Sequence, residues 1–307
     1  MTDLLAPVVV FAYNRPDHLK QTLTTLANVD GASQTPLWIF CDGPKNGKDP
    51  APNFDVQEIA RDPAWPGAFA SVHVVTSAVN KGLARSIIEG VSNVIEKAGR
   101  AIVIEDDLIV SSGFLRFMNE ALDFYGEDST IGSVTGFCPL ATPPCGYAHD
   151  VMRVPRNCSH GWGTWADRWV QVDWTATGAR QLRRDPALRR RLNSAGSDRL
   201  DRLRRQLLGR IDSWSIRFGL WQVLAGVDTI YPVGNHVRNV GFDGSGVHTR
   251  AGDEINTTLS EAGLSWTLTS VSSSEDVWKA FRSVYSGPVH KRLVRWVRTR
   301  PWVWGLQ

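Results

Sequence analysis

At 307 residues and 34.0 kDa the chain can bury a sizeable core, enough for one large domain or two closely packed halves. With 42% hydrophobic and 21% charged residues it is neither disordered nor fibrous, and it has no run of about 18 apolar residues that would span a membrane. The net charge of +3 hides a division: residues 1–150 carry 10 Lys/Arg against 18 Asp/Glu, net −8, and residues 151–307 carry 24 against 13, net +11. An acidic half suits cation binding, and a basic half suits an anionic substrate or surface. The first five residues lack the basic-then-apolar layout of a secretory signal, so a cytoplasmic chain is expected. Four cysteines (Cys41, Cys138, Cys145, Cys158) include no Cys-x-x-Cys pair, which argues against zinc and a disulfide framework. Cys41, closing an apolar run, reads as a reduced, buried thiol.

The first apolar run, residues 8–12, ends at Tyr13, Asn14, Arg15 and Pro16, and Leu19, Leu23 and Leu26 follow at helical spacing. This predicts strand, loop and helix, with Pro16 where a first helical turn tolerates it. Residues 37–41 predict a second strand ending at Asp42, residues 56–61 a short helix, and residues 72–76 a third strand. After Asn80, Lys81 and Gly82 comes a helix with Leu83, Ile87, Ile88, Val91, Val94 and Ile95 on one face. Residues 101–104, apolar throughout, predict a fourth strand buried on both faces, which runs into three consecutive carboxylates, Glu105, Asp106 and Asp107. Phe114, Phe117, Met118 and Leu122 mark the next helix, and residues 131–135 a further strand.

This alternation predicts an α/β fold with a doubly wound, mostly parallel sheet, whose ligand lies beyond the carboxyl ends of the strands. Those ends carry Asn14 and Arg15, Asp42, Asn80 and Lys81, and the acidic triplet. Adjacent carboxylates repel one another, and a hard cation shared with a substrate phosphate would relieve them; the competing reading is an acidic surface loop. No Gly-x-Gly-x-x-Gly turn follows the first strand and no P-loop signature occurs, which disfavours a dinucleotide dehydrogenase or a P-loop enzyme.

Beyond residue 135 the character changes. Residues 157–174 are dense in tryptophan and glycine, and such indoles either fill a core or stack on the apolar face of a pyranose. Residues 180–210 hold eleven arginines and three acids with leucines between them, predicting one or two amphipathic helices with a solvated basic face. Residues 235–248 are a glycine-rich loop with His236, Arg238, Ser245 and His248, either a plain loop or a cover for a diphosphate. From Trp278 onward there are seven Lys/Arg and no acid, with Trp296, Trp302 and Trp304. That tail reads as an interfacial anchor for an anionic membrane or as an amphipathic helix docked on the domain.

In this order, a strand ending near Arg15, a strand ending in Asp42, a turn at Asn80 to Gly82, a Glu-Asp-Asp strand end, a Gly-Trp segment, an Asp-x-Trp at Asp212 and a Gly/His loop resemble nucleotide-sugar glycosyltransferases of the GT-A fold. Over roughly residues 6–250 the chain is similar to the N-acetylglucosaminyltransferase I group, which also uses Glu-Asp-Asp as its variant of the Asp-x-Asp metal motif. The resemblance implies a metal-dependent, inverting transfer of a hexosyl or N-acetylhexosaminyl group. The donor would be a nucleotide sugar, UDP-sugar favoured, and the acceptor a hydroxyl of a glycan or lipid-linked glycan. It implies Mn²⁺ or Mg²⁺ on Asp107, with Glu105 and Asp106 contacting ribose and donor sugar. Arg15 and Asp42 would hold the base with Lys81 nearby, and Ser245 and His248 would close on the diphosphate. Asp212 would be the general base, where the residue alone reads sooner as a cap on the helix that Trp214 begins. Trp162, Trp165 and Trp214 would face the acceptor.

The implied division is a nucleotide-sugar half over residues 1–135, an acceptor-binding catalytic half over 136–255, and a basic tryptophan-rich segment over 256–307. The arginine-rich stretch and the basic tail depart from the family, and the tail would place the chain on the inner face of a membrane. Nucleic acid is not an expected partner. Two rivals stay open: a non-catalytic sugar-nucleotide binder on the same fold, and a basic membrane or nucleic-acid surface adaptor.

Overall fold

The computed structural model describes residues 5–46, 48–244, 258–259 and 265–303. Strand β1 (Val8–Ala12) is buried at every position, as a β-branched run covered on both faces must be. It lies parallel to β2 (Pro36–Cys41) on one side and β4 (Arg100–Glu105) on the other, and β2 lies parallel to β3 (Ser71–Thr76). The crossovers are α1 (Pro16–Ala27), whose leucines enter the core as their spacing predicts, then α2 (Ala51–Ala60), α3 (Trp65–Ala68) and α4 (Leu83–Ala98). The triplet is followed by β5 (Leu108–Val110), α5 (Phe114–Phe124), β6 (Ile131–Thr135), β7 (Val151–Val154), β8 (Trp162–Trp165) and α6 (Ala166–Trp169).

The arginine-rich stretch makes three short helices rather than one or two: α7 (Ala179–Arg184), α8 (Pro186–Leu192) and α9 (Arg199–Leu207). Pro186 cannot continue α7, and Asp185 caps the new start by accepting from the backbone of Ala187 and Leu188. The chain ends with α10 (Trp214–Ala225), β9 (Asp228–Pro232), β10 (Val237–Asn239), α11 (Glu275–Ser286) and α12 (Val289–Val303).

Eight strands form one sheet in the order β3-β2-β1-β4-β8-β6-β9-β7. Six run in one direction, and β8 and β7 run against them. This is the mostly parallel α/β plan that the alternation predicts, and strands from both sequence halves share it. The side chains of β1 and β4 alternate between two cores. Val8, Val10, Ile102 and Ile104 meet α1, α2 and α5, while Val9, Phe11, Ala101 and Val103 meet α4 together with Trp162, Trp169, Trp214 and Phe218. A third core holds α7, α8 and α9 against the outer side of α10 through Ile216, Leu220 and Val223. Helix α10 is therefore apolar on two sides, as a helix between two cores must be, with Arg217 among its few charged or polar residues.

The tryptophan-rich segment is core. Trp162 stacks between Trp214, 4.6 Å away, and Trp169, 5.8 Å away, with Phe218 against its edge. Trp165 lies opposite Arg100 at the start of β4, a strand length from the acidic triplet, and its indole N–H donates to Leu122 O at 3.0 Å. Trp162, Trp165 and Trp214 are 2%, 7% and 3% exposed, so none has a face to offer a sugar. Their expected acceptor-binding role is corrected on that ground.

Candidate functional site

The carboxyl ends of β1 and β4 lie side by side, with Phe11 opposite Glu105 in register. The next residues of the two chains, Tyr13 to Arg15 and Asp106 to Asp107, therefore meet. Arg15, at the start of α1, forms ion pairs with Asp106 and, at 3.0 Å, with Asp107. The Tyr13 N–H donates to Asp106 at 3.3 Å, and the triplet's backbone is fixed by Thr22 Oγ1 donating to Asp106 O and Val240 N donating to Asp107 O.

Strand β10 pairs antiparallel with β5 immediately beyond the triplet, so the chain after β10 folds across it. Asn239 Nδ2 donates to Asp107 Oδ1 at 3.4 Å, and its Oδ1 accepts from Gly241 N at 2.7 Å. Backbone crowds the carboxylate here: a Cβ on Gly241 would overlap Asp107 Oδ2 and stand 2.8 Å from Arg15 Nη1. Alternation along β4 points Glu105 toward the α4 and α10 side and Asp106 toward α1.

Electrostatically the site has an excess of negative charge. Burial, with repulsion from Asp107 and Asp106, holds Glu105 well above the ordinary carboxylate range. Burial also pushes Asp106 up to about 6, with Arg15 pulling it down. One guanidinium does not offset three carboxylates in a low-dielectric rim. His160, just before β8 at the same end of the sheet, is held below the ordinary imidazole value by burial, with Asp107 pulling the other way. Its Nδ1 is buried with no hydrogen-bond partner among the described residues.

Hard oxygen donors in excess of their counter-charge fit a divalent cation such as Mn²⁺ or Mg²⁺. Among the described residues no three carboxylate, thiol or imidazole side chains converge on one point.

Asp42 is placed differently from its expected role. Its carboxylate accepts from Gly43 N and Lys81 N through Oδ1, and from Asn80 Nδ2 and Gly82 N through Oδ2, all between 2.8 and 3.0 Å. Four donors fill the acceptor sites of a carboxylate, so Asp42 fastens the turn before α4 instead of presenting oxygens to a base. Asn53 ties this loop to the first, donating to Tyr13 O at 2.7 Å. Between the carboxyl ends of β2 and β3 and helix α4 lies a cavity of about 260 Å³, lined among others by Phe40, Asp42, Thr76, Lys81, Glu89 and Asn93. The Lys81 ammonium pairs with Glu89 at 2.8 Å at its mouth. Cys41 is buried beside it, and desolvation raises its thiol to about 12, keeping it protonated.

Asp212 precedes α10. That helix ends beside the start of β9, which begins level with β6 at the opposite end of the sheet, so its first residues lie at the rim where β4 ends. Trp214 stacks on Trp162, whose strand partner is Val103. Asp212 is exposed and ion-paired with Arg217. It is not the helix cap: Ser213 holds that position and makes no side-chain capping bond. Ser245 and His248 lie outside the described residues.

The rim thus brings together Arg15, Glu105, Asp106 and Asp107 and leaves Asp42 and Lys81 around a neighbouring cavity. Sequence reasoning missed His160, and it placed Asn239 and Gly241 only within a loop that could cover a diphosphate, without their contact with Asp107. His160 carried a usable signal, a polar residue immediately before a strand that starts at the rim; Asn239 and Gly241 depend on the pairing of β5 with β10, which no local pattern shows.

No known protein family matches the sequence. Among solved structures the chain is similar to the crystal structure of S. aureus TarS over 50% of its own length, at 12% identity and a TM-score of 0.34. It spans 25% of that chain. Among the described residues no helix is long and apolar enough to cross a membrane.

Proposed function

We propose that the chain is a glycosyltransferase of the GT-A type that moves a sugar from a nucleotide-sugar donor, a UDP-sugar in the first instance, to a hydroxyl of a glycan or lipid-linked glycan. The observation that carries this reading is the rim itself: three under-neutralised carboxylates at the end of β4, two of them paired with Arg15 and Asp107 roofed by Asn239 and Gly241, with β1 between them and a cavity beside Lys81. Strands β2 and β4 are two spacings apart, about 10 Å, a separation that a nucleoside diphosphate bridges with its base at one end and its phosphates at the other.

On this reading the base enters the cavity at Lys81, and Arg15 lies on the path of the phosphates. Asp107 would hold a divalent cation, with Glu105 on the α4 side toward ribose and sugar and Asp106, buried toward α1 and paired with Arg15, fixing the rim beside them. When bound, that cation supplies charge neutralisation for the departing diphosphate. Asp212, ion-paired with Arg217, accepts the proton of the attacking hydroxyl. Attack from the face opposite the diphosphate inverts the anomeric centre.

The test is release of nucleoside diphosphate from a panel of UDP-, GDP- and dTDP-sugars with Mn²⁺. Chelation by EDTA and Asp107→Ala should each abolish turnover. Asp212→Asn should lower kcat by roughly 10² to 10⁴-fold while leaving the donor-induced rise in Tm intact. Turnover that survives both EDTA and Asp107→Ala would overturn the assignment, and donor binding with no diphosphate release by the wild type would make the protein a binder.

A further inference from the structure

Helix α12 is mounted with its polar side inward. Arg295 donates through Nη1 to Ser286 O at 2.7 Å and reaches Ser197 Oγ at 3.5 Å, and Thr299, one turn on, is buried. Through this side the helix leans on α9 and α7. Its apolar residues face the other way: Val289, Leu293, Val294 and Val297 are 74%, 59%, 45% and 55% exposed. At about 100° per residue they fall in one arc roughly 140° wide, opposite Arg295 and Thr299. Trp296, also half exposed, extends that arc at one edge. A helix docked for its own burial would turn this stripe to the body.

The surroundings of the stripe are positive. Lys291 and Arg298 are exposed along one flank and Arg292 along the other, and α12 contains no acid. Helices α7 and α9, on which it rests, expose Arg180, Arg184 and Arg205. An outward stripe that is apolar except at His290 and is bordered by cations matches the headgroup region of an anionic bilayer, which supplies hydrocarbon below and phosphates beside it. A protein groove would supply the apolar contact without a reason for an acid-free border. At 15 residues and about 1.5 Å each, the helix is about 22 Å long, and with its cations it lies in the interface and does not cross it.

We infer that α12 is an interfacial anchor, laying its exposed apolar arc into the surface of a membrane rich in anionic lipid. This goes beyond the glycosyl-transfer reading and does not depend on it. The test is flotation of the full chain with vesicles of phosphatidylcholine alone and of phosphatidylcholine mixed equally with phosphatidylglycerol. The wild type should float with the anionic vesicles only, and less so as salt rises above ~0.1 M. Leu293→Glu with Val297→Glu, at exposed positions and so without effect on Tm, should cut the bound fraction by about tenfold or more. Three outcomes would overturn the anchor. The first is a wild type that stays unbound at low salt. The second is a double variant that binds as well as the wild type, which assigns binding to the arginines of α7 to α9 alone. The third is a wild type that ignores vesicles and forms a dimer on gel filtration that the same pair dissolves, which makes the arc a self-association face.

Discussion

At Gly241 the fold leaves space for a hydrogen where any other residue carries carbon. The loop after β10 passes so close to Asp107 that a Cβ would strike its carboxylate and crowd Arg15. The crowding has a functional edge, because the atoms in the way are those proposed to hold a cation and guide phosphates. Gly241→Ala should therefore cost only about 1–3 kcal/mol in unfolding free energy yet lower Mn²⁺-dependent diphosphate release by at least about tenfold. Equal turnover in the variant would show that the loop does not set the carboxylate. What could be read at this scale was residue type at a strand end. Arg15 and the triplet were legible because a charge following a buried strand needs a partner. Asp42 was legible as polar but not as saturated, since its donors come from the turn at Asn80 to Gly82, on the far side of β3 in the chain.

At the scale of elements, the small β5–β10 sheet is what the sequence could not announce. Three apolar residues after an acidic triplet carry no period, and their partner lies near residue 237. The join is fastened by His236, whose backbone O accepts from Ser111 N at 2.9 Å, whose Nδ1 lies 2.9 Å from Ser111 Oγ, and whose ring stacks on Phe117 at 4.9 Å. Burial pushes this imidazole down from 6.5 to about 4, with Arg116 adding to the shift. Between those values the unfolded chain binds the proton and the folded chain does not. Stability should thus be intact above pH 6.5 and fall as pH drops toward 4, by up to about 3 kcal/mol from this group. Urea unfolding across that range should show a shallower fall for His236→Gln than for the wild type; parallel curves would mean that the imidazole is not the sensor. Periodic helices such as α1 and α4 needed no such partner, which is why they stood out in the sequence.

Over the whole molecule, acidic and basic halves are not separate bodies but two sets of strands in one sheet, joined where β8 inserts between β4 and β6. Composition revealed the halves, and alternation revealed the parallel part of the sheet. The antiparallel insertions escaped because β8 is four residues of tryptophan, glycine and threonine that read equally as a binding platform. The decisive difference is burial, which depends on α10 bringing Trp214 and Phe218 onto Trp162 from a distant part of the chain. If Trp162 is the centre of the joint between the halves, its loss is a stability event. Trp162→Ala should destabilise the chain by about 3–5 kcal/mol, a Tm loss of roughly 10 °C. Trp162→Phe, which keeps an aromatic ring in the stack, should recover most of that loss and leave the KM for a glycan acceptor unchanged. A variant that keeps its Tm but loses acceptor affinity would restore the platform reading, because only a side chain meeting the sugar can change KM without weakening the core.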